Sequence, residues 1–138
     1  MYVLDTSIVS EIRKIKAGRA DPAVAAWSSR VSAGLTFVSV VTIQELEHGV
    51  LLAERRDPKS EAVLRNWLDG DVARAFEQRI LPVDTVVARV AASLHVPDPA
   101  PVIDALIAAT ALANGMTVVT LNTRDFERFD QLQVLRPR

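Results

Sequence analysis

Short apolar runs alternate with helical patterns along the chain. The runs that favour strands are YVLD (2–5), LTFVSVV (35–41), RILPVD (79–84), MTVVTL (116–121) and LQVL (132–135). Between these runs, apolar residues recur at spacings of three and four, which is the period of a helix with one buried face. Strands that alternate with helices predict an α/β domain built on a mainly parallel, twisted sheet flanked by helices.

Capping residues indicate where the first helices begin. Thr6 or Ser7 is a candidate N-cap for a helix with the apolar stripe Ile8, Ile12 and Ile15. The second helix is predicted to start at Asp21-Pro22 and to end at Gly34. The third is predicted to start at Thr42.

The second half of the chain is predicted to hold three further helical segments. The first runs from Ser60 to Arg79 with a break or bend at Gly70, the second covers 85–95, and the third covers 102–114 and ends at Gly115. The prolines of VPDPAP (96–101) interrupt the pattern, because each removes a backbone donor and restricts the residue before it.

The composition is that of an ordinary globular chain of one domain, residues 1–138, with 49% hydrophobic and 24% charged residues. It contains no cysteine, which excludes disulfides, zinc ribbons and thiol nucleophiles. No basic leader precedes an apolar stretch at the N-terminus and no apolar run approaches the roughly 20 residues that span a bilayer, so a cytoplasmic location is expected. The net charge of −1 means that any RNA binding must use local basic patches or bound cations.

Polar residues with metal-binding chemistry stand where the predicted strands end. They are Asp5 after the first strand, Glu45 in the first turn of the helix after the second, Asp104 at the start of the 102–114 helix, and Asn122 and Asp125 after the fourth strand. Ligands of open parallel sheets bind beyond the carboxyl ends of the strands, so these residues could share one edge. Mg²⁺ and Mn²⁺ prefer oxygen ligands, and a cation offsets the repulsion between gathered carboxylates. Helix N-termini are expected to favour the ionised forms of Glu45, Asp104 and Asp125.

These acids also have ordinary structural explanations. Thr42 and Glu45 have the spacing of a capping box, in which Glu45 would only satisfy backbone donors. Asp104 could make no more than a favourable contact with a helix dipole. Asp5 is harder to explain in this way, because an acid that ends a buried strand needs a partner.

Four motifs in order resemble the PIN-domain ribonucleases, and most closely the VapC/FitB-like toxins of type II toxin–antitoxin systems. The motifs are LDTSIVSE (4–11), SVVTIQEL (39–46), IDALIAATA (103–111) and TLNTRDF (120–126), spread over essentially the whole chain. One such motif would be weak support, whereas four in the family's order are specific. The resemblance implies a PIN-like three-layer α/β sandwich.

The resemblance assigns the metal-binding and catalytic carboxylates to Asp5, Glu45, Asp104 and Asp125. Thr6 matches a hydroxyl residue that the family carries beside the first acid. The chain departs from the pattern at Asn122, where relatives often have aspartate. Whether Asn122 or Asp125 completes the site, and whether one or two metals bind, stays open. Glu47 is a rival to Glu45 that only the motif match sets aside.

The resemblance further implies hydrolysis of RNA, such as tRNA, with Mg²⁺ or Mn²⁺ as the cofactor. It also implies a homodimer and a cognate VapB/FitA-like antitoxin whose C-terminal tail occupies the acidic pocket. The candidate contacts to the RNA backbone are Arg13, Lys14, Lys16 and Arg19, followed by Arg55, Arg56 and Lys59. The candidate interface residues are Leu51, Leu52, Leu64 and Trp67.

The main alternative is a catalytically weak or silent PIN-fold module that binds RNA or a partner protein, with Asn122 marking decay of the site. A haloacid-dehalogenase-like enzyme is disfavoured, because Asp5 is followed by Thr6 and Ser7 and not by the second aspartate of an Asp-x-Asp pair.

Overall fold

The computed structural model describes residues 1–59 and 61–138, and within them five strands form one parallel sheet. The strands are β1 (Tyr2–Leu4), β2 (Thr36–Ser39), β3 (Ile80–Leu81), β4 (Thr117–Val119) and β5 (Val134–Leu135), in the order β3-β2-β1-β4-β5. The first strand of the chain is central, since Val3 lies opposite Phe37 on β2 and Val118 on β4. The predicted parallel α/β architecture is confirmed.

Helices connect the strands. They are α1 (Thr6–Ile12), α2 (Pro22–Arg30), α3 (Val40–Arg56), α4 (Ala62–Asn66), α5 (Ala73–Ala75), α6 (Thr85–Ser93) and α7 (Val102–Asn114). Asp21 caps α2 as predicted, because its Oδ1 accepts the N–H groups of Ala23 at 2.8 Å and Val24 at 3.2 Å. The end of α7 at Gly115, with a φ of 64°, also agrees with the Asn-Gly signal.

The start of α3 differs from the prediction, and the difference moves a site residue. Ser39 is the N-cap, since its Oγ accepts the N–H of Val41 at 3.1 Å, so the helix begins at Val40 and not at Thr42. Thr42 is a fully buried interior residue, and Glu45 is the sixth residue of α3, beyond its first turn. The capping-box interpretation of Thr42 and Glu45 is therefore wrong.

The start of the first helix and the ends of the first two helices also differ from the prediction. Asp5 is the N-cap of α1 in place of Thr6 or Ser7, and α1 ends at Ile12, so Ile15 lies in the following turns. The second helix ends at Arg30, because Val31 is extended, and Gly34 belongs to a short 3-10 turn, Ala33–Leu35.

A π-helical stretch interrupts the predicted helix over 60–79. Residues Trp67–Val72, which include Gly70, form this stretch between α4 and α5. It buries Leu68 and Val72, and Phe76 is buried beyond it. The predicted start at Ser60 lies outside the described residues.

Apolar cores cover the two faces of the sheet. Successive residues of a strand point to opposite faces, so Leu4 joins one core, with Ile8 and Trp27, and Val3 joins the other, with Ile107 and Phe126. Among the predicted interface residues, Leu64 and Trp67 pack against the first core, whereas Leu51 and Leu52 are exposed. In the part of the chain that the structure describes, no helix has the length and apolarity to cross a bilayer.

Candidate active site

Asp5 is a buried carboxylate at the carboxyl end of the central strand. It is 7% exposed, and its backbone N–H donates to the Val119 carbonyl at 2.9 Å. Its Oδ1 accepts the Thr6 N–H at 2.8 Å, and its Oδ2 accepts the hydroxyls of Ser7 at 3.0 Å and Thr120 at 2.7 Å. These bonds supply the partners that a buried acid requires and fix the orientation of the carboxylate.

Glu45 reaches the same edge of the sheet from α3. The Thr6 hydroxyl donates to Glu45 Oε1 at 2.5 Å and lies 3.3 Å from the hydroxyl of Thr42. Glu45 is 39 positions beyond Thr6 in the sequence. Since Thr6 directly follows Asp5, this hydrogen bond brings Glu45 close to Asp5.

Asp104 lies in the first turn of α7, and its surroundings disfavour its charged form. Partial burial is the main cause that raises its pKa from 3.8 to about 6, and repulsion from Asp125, Asp5 and Glu45 acts in the same direction. The helix N-terminus was expected to favour the ionised form, but burial and the neighbouring carboxylates raise the pKa of Asp104 and so disfavour that form. Four acids from distant parts of the chain are thus close enough to interact electrostatically.

The segment after β4 contributes Asn122 and Asp125. Both residues are exposed, and the backbone N–H of Asn122 donates to Thr120 Oγ1 at 2.9 Å. Asp125 ends the 3-10 turn Thr123–Asp125, and its charge acts on Asp104. Since Asn122 is uncharged, Asp125 is the residue of this segment that adds to the negative field.

Glu47 is engaged elsewhere. Arg65 on α4 donates to its two carboxylate oxygens at 2.9 and 2.6 Å, and it also contacts Glu54 at 2.7 Å and Asp69 at 3.4 Å. The hydrogen bonds from Arg65 lower the pKa of Glu47. Glu47 is therefore an ion-pairing residue, and the motif-based preference for Glu45 agrees with the geometry.

The first group of basic residues predicted to contact RNA, Arg13 to Arg19, lies beyond the far end of α1, and the second group, Arg55 to Lys59, lies at and beyond the end of α3. Lys14 is paired with Glu11 at 2.6 Å, and the hydrogen bond from Lys14 is the main cause that lowers the pKa of Glu11. The Arg13 guanidinium lies 5.8 Å from the ring centroid of Trp67, and Arg13 and Lys16 line a mostly apolar groove of about 200 Å³. Asp5 stands at the opposite end of α1, about 10 Å away at 1.5 Å per residue.

Sequence reasoning missed three hydroxyl groups at this site. Ser7 was considered only as a helix cap, and neither Thr120 nor Thr42 was considered as a site residue. A signal was available, because Thr120 is a polar residue at the end of a buried strand and Thr42 occupies the buried side of α3.

The donor set suits a hard divalent cation, since it consists of oxygens from carboxylates, hydroxyls and an amide. Among residues 1–59 and 61–138, none of the four acids forms an ion pair. As the side chains stand, no three Asp, Glu, His or Cys residues in these ranges meet the requirements of a metal site. The carboxylates repel one another, and a bound cation would offset that repulsion.

The chain belongs to the PIN domain family, whose sequence model matches residues 2–132. The resemblance carried by the four motifs is thereby confirmed.

The chain is also similar to named proteins and to a solved structure. The chain is 36% identical over 132 residues to VapC ribonuclease Y4jK of Sinorhizobium fredii, covering 92% of this chain and 91% of that protein. It is 32% identical over 132 residues to Toxin FitB of Neisseria gonorrhoeae, with 91% of each covered. The crystal structure of FitAcB from Neisseria gonorrhoeae superimposes with a TM-score of 0.86 at 29% identity, covering 98% of this chain and 96% of that one. The PIN-like α/β fold expected from the sequence is confirmed.

Proposed function

We propose that this chain is a Mg²⁺- or Mn²⁺-dependent ribonuclease that acts as the toxin of a toxin–antitoxin pair. The observation that carries the proposal is the grouping of Asp5, Glu45, Asp104 and Asp125 at one edge of the sheet, with no ion-pair partner among the described residues. Membership of the PIN domain family and similarity to a VapC ribonuclease and to Toxin FitB support the activity and the role.

In this proposal the four acids are the metal ligands, and their neighbours position them. A divalent cation held by these acids would supply a water of lowered pKa and would neutralise charge that develops on the phosphate. Ser7 and Thr120 hold the Asp5 carboxylate, and Thr6 holds that of Glu45. Asp104 must be ionised to act as a ligand, so its raised pKa makes cation binding weaker at acidic pH.

The partners that we propose are an RNA substrate, a cognate VapB/FitA-like antitoxin and a second copy of the chain, all in the cytoplasm. The exposed residues Leu51 and Leu52 on α3 are candidates for a protein interface, because they leave apolar surface in water. Leu64 and Trp67 are less suited, since they pack against the core.

Two glutamates on α3 provide the biochemical test. Glu45→Gln and Glu47→Gln make the same chemical change two positions apart, but only Glu45 lies at the acidic edge. We expect Glu45→Gln to lower Mn²⁺-dependent cleavage of RNA by about 100-fold, which corresponds to about 2.7 kcal/mol in the barrier. The cleavage rate of Glu47→Gln should stay within about twofold of the parent rate, because Glu47 pairs with Arg65 away from the acidic edge. A twofold change corresponds to about 0.4 kcal/mol in the barrier.

A growth assay tests the role in the cell. Induction of the chain should arrest growth, Asp5→Ala should abolish the arrest, and co-expression of the neighbouring upstream reading frame should relieve it. Binding of RNA without cleavage would instead support a silent module, the alternative that Asn122 favours by replacing a charged ligand with a neutral one.

A further inference from the structure

A groove with two arginines adjoins the acidic edge. Arg136 directly follows β5 as Asp5 directly follows β1, and the carboxyl ends of parallel strands lie at the same edge of a sheet. The groove has a volume of about 370 Å³ and is lined by Leu121, Asn122, Thr123, Arg124, Asp125 and Arg136. It therefore contains an acid, Asp125, that acts on Asp104.

The two arginines retain donors for a ligand. Arg136 Nη1 donates to the carbonyl of Leu121, which ties the segment after β5 to the loop after β4. A guanidinium has five N–H donors, so one such bond leaves most of them available. Arg124 is exposed, and within residues 1–59 and 61–138 it forms neither a hydrogen bond nor an ion pair through its side chain.

Three other basic side chains of the described residues are less suited to this role, because acids already pair with them. Lys14 is paired with Glu11, and Arg65 is surrounded by acids. Arg74 is paired with Asp71 at 2.7 Å. The groove at Arg124 and Arg136 thus combines available guanidinium donors with direct continuity to the acidic edge.

We propose that Arg124 and Arg136 bind backbone phosphates of the RNA strand beside the bond that is cleaved. This inference rests on the proposed ribonuclease function and names the residues that hold its substrate. A net charge of −1 gives no overall attraction to a polyanion, and four carboxylates repel one locally, so nearby cations are needed to retain the strand. Guanidinium groups bind phosphate through paired N–H donors, and such contacts position a strand without reading its sequence.

Binding of a short fluorescein-labelled RNA of mixed sequence, measured by anisotropy in EDTA to prevent cleavage, tests the proposal. We expect the double variant Arg124→Gln/Arg136→Gln to weaken binding about tenfold, and to lower the slope of log Kd against log salt by about 1.4, or about 0.7 for each phosphate contact. The matched control is Arg74→Gln/Arg89→Gln, which removes the same charge at exposed positions of α5 and α6. Neither residue lines the groove, so RNA binding should change less than about twofold.

Two further variants separate binding from folding. Arg124→Gln alone replaces a side chain that forms no hydrogen bond or ion pair among the described residues, and it should still weaken RNA binding about threefold. Arg124→Lys/Arg136→Lys keeps the charge but loses the paired donors, and it should bind with intermediate affinity.

The outcomes distinguish this inference from the function on which it rests. If the unmodified chain cleaves RNA and the Arg124/Arg136 double variant binds it as tightly as the control variant does, the inference is wrong and the ribonuclease function stands. If the unmodified chain neither binds nor cleaves RNA, the proposed function itself fails. Loss of affinity for the upstream-encoded protein with RNA affinity intact would assign the groove to a protein partner, and would also overturn the proposal.

Discussion

Two acidic clusters contact α3, and they differ in how their charge is neutralised. Glu47 and Glu54 belong to a cluster around Arg65, whose hydrogen bonds lower the pKa of Glu47. Glu45 belongs to the cluster with Asp5 and Asp104, where the described chain supplies no ion-pair partner and the pKa of Asp104 rises to about 6. The fold therefore provides a cationic side chain for one cluster and, within the described residues, none for the other.

The largest expected effect is the response of folding stability to a divalent cation. At about 100 times its Kd, Mn²⁺ should raise the free energy of unfolding by about 2.7 kcal/mol, which is the gain expected of a ligand that binds only the folded chain. Glu45→Gln should lose most of this gain, and Glu47→Gln should keep it. Thermal unfolding with and without Mn²⁺ measures both. An equal gain in the two variants would mean that the clusters do not differ as described.

A smaller effect is expected from Asp104→Asn in the metal-free protein. The pKa of Asp104 is raised on folding from about 3.8 to about 6, so protonation favours the folded state. The cost of its charge is absent below about pH 4, grows between about pH 4 and 6, and is complete above that range. After a discount for solvent screening of a partly exposed group, the variant should be more stable than the parent by about 1 kcal/mol at neutral pH.

Urea unfolding of the parent and of Asp104→Asn across this pH range measures the difference. Asp130→Asn is a suitable control, since it removes an exposed aspartate that does not contribute to the raised pKa. A stability difference that does not change with pH would contradict the assignment of this charge to the acidic edge.

The smallest expected effect is that of Arg65→Gln, which removes the internal cation of the other cluster. Its ion pairs are partly exposed, so the melting temperature should fall by a few degrees at most at low salt and by less at high salt. Since the pKa of Glu47 is lowered by Arg65, the stabilisation is present at neutral pH and is lost on acidification. The stability response to Mn²⁺ should not change, and its loss would show that the clusters are coupled.

The order of strands and helices could be predicted because local patterns determine it. Apolar runs such as 2–5 and 116–121 favour strands, and alternation with helices requires a parallel sheet. That topology also predicts that acids at strand ends meet, as Asp5 and Asp125 do through their effects on Asp104. The start of α3 was misplaced because Val40 and Val41 are β-branched and resemble a continuing strand, although Ser39 caps the helix.

Properties that depend on distant contacts could not be predicted. The hydroxyl of Thr120 meets Asp5 across 115 positions, and Arg65 engages Glu47 across 18. The direction of the pKa shift of Asp104 was also misjudged, because the burial that dominates it arises only when α7 packs in the fold. The choice between Glu45 and Glu47 rested on the motif, since helical periodicity does not separate them.

The central position of β1 has a consequence for protein synthesis. Asp5 is made 115 positions before Thr120, whose hydroxyl holds its carboxylate. A nascent chain therefore cannot assemble the acidic edge until β4 and the segment through Asp125 have emerged and paired with β1. For a nuclease of the proposed kind, a chain that stops before Asp125 would be inert towards RNA, because its acidic edge would be incomplete.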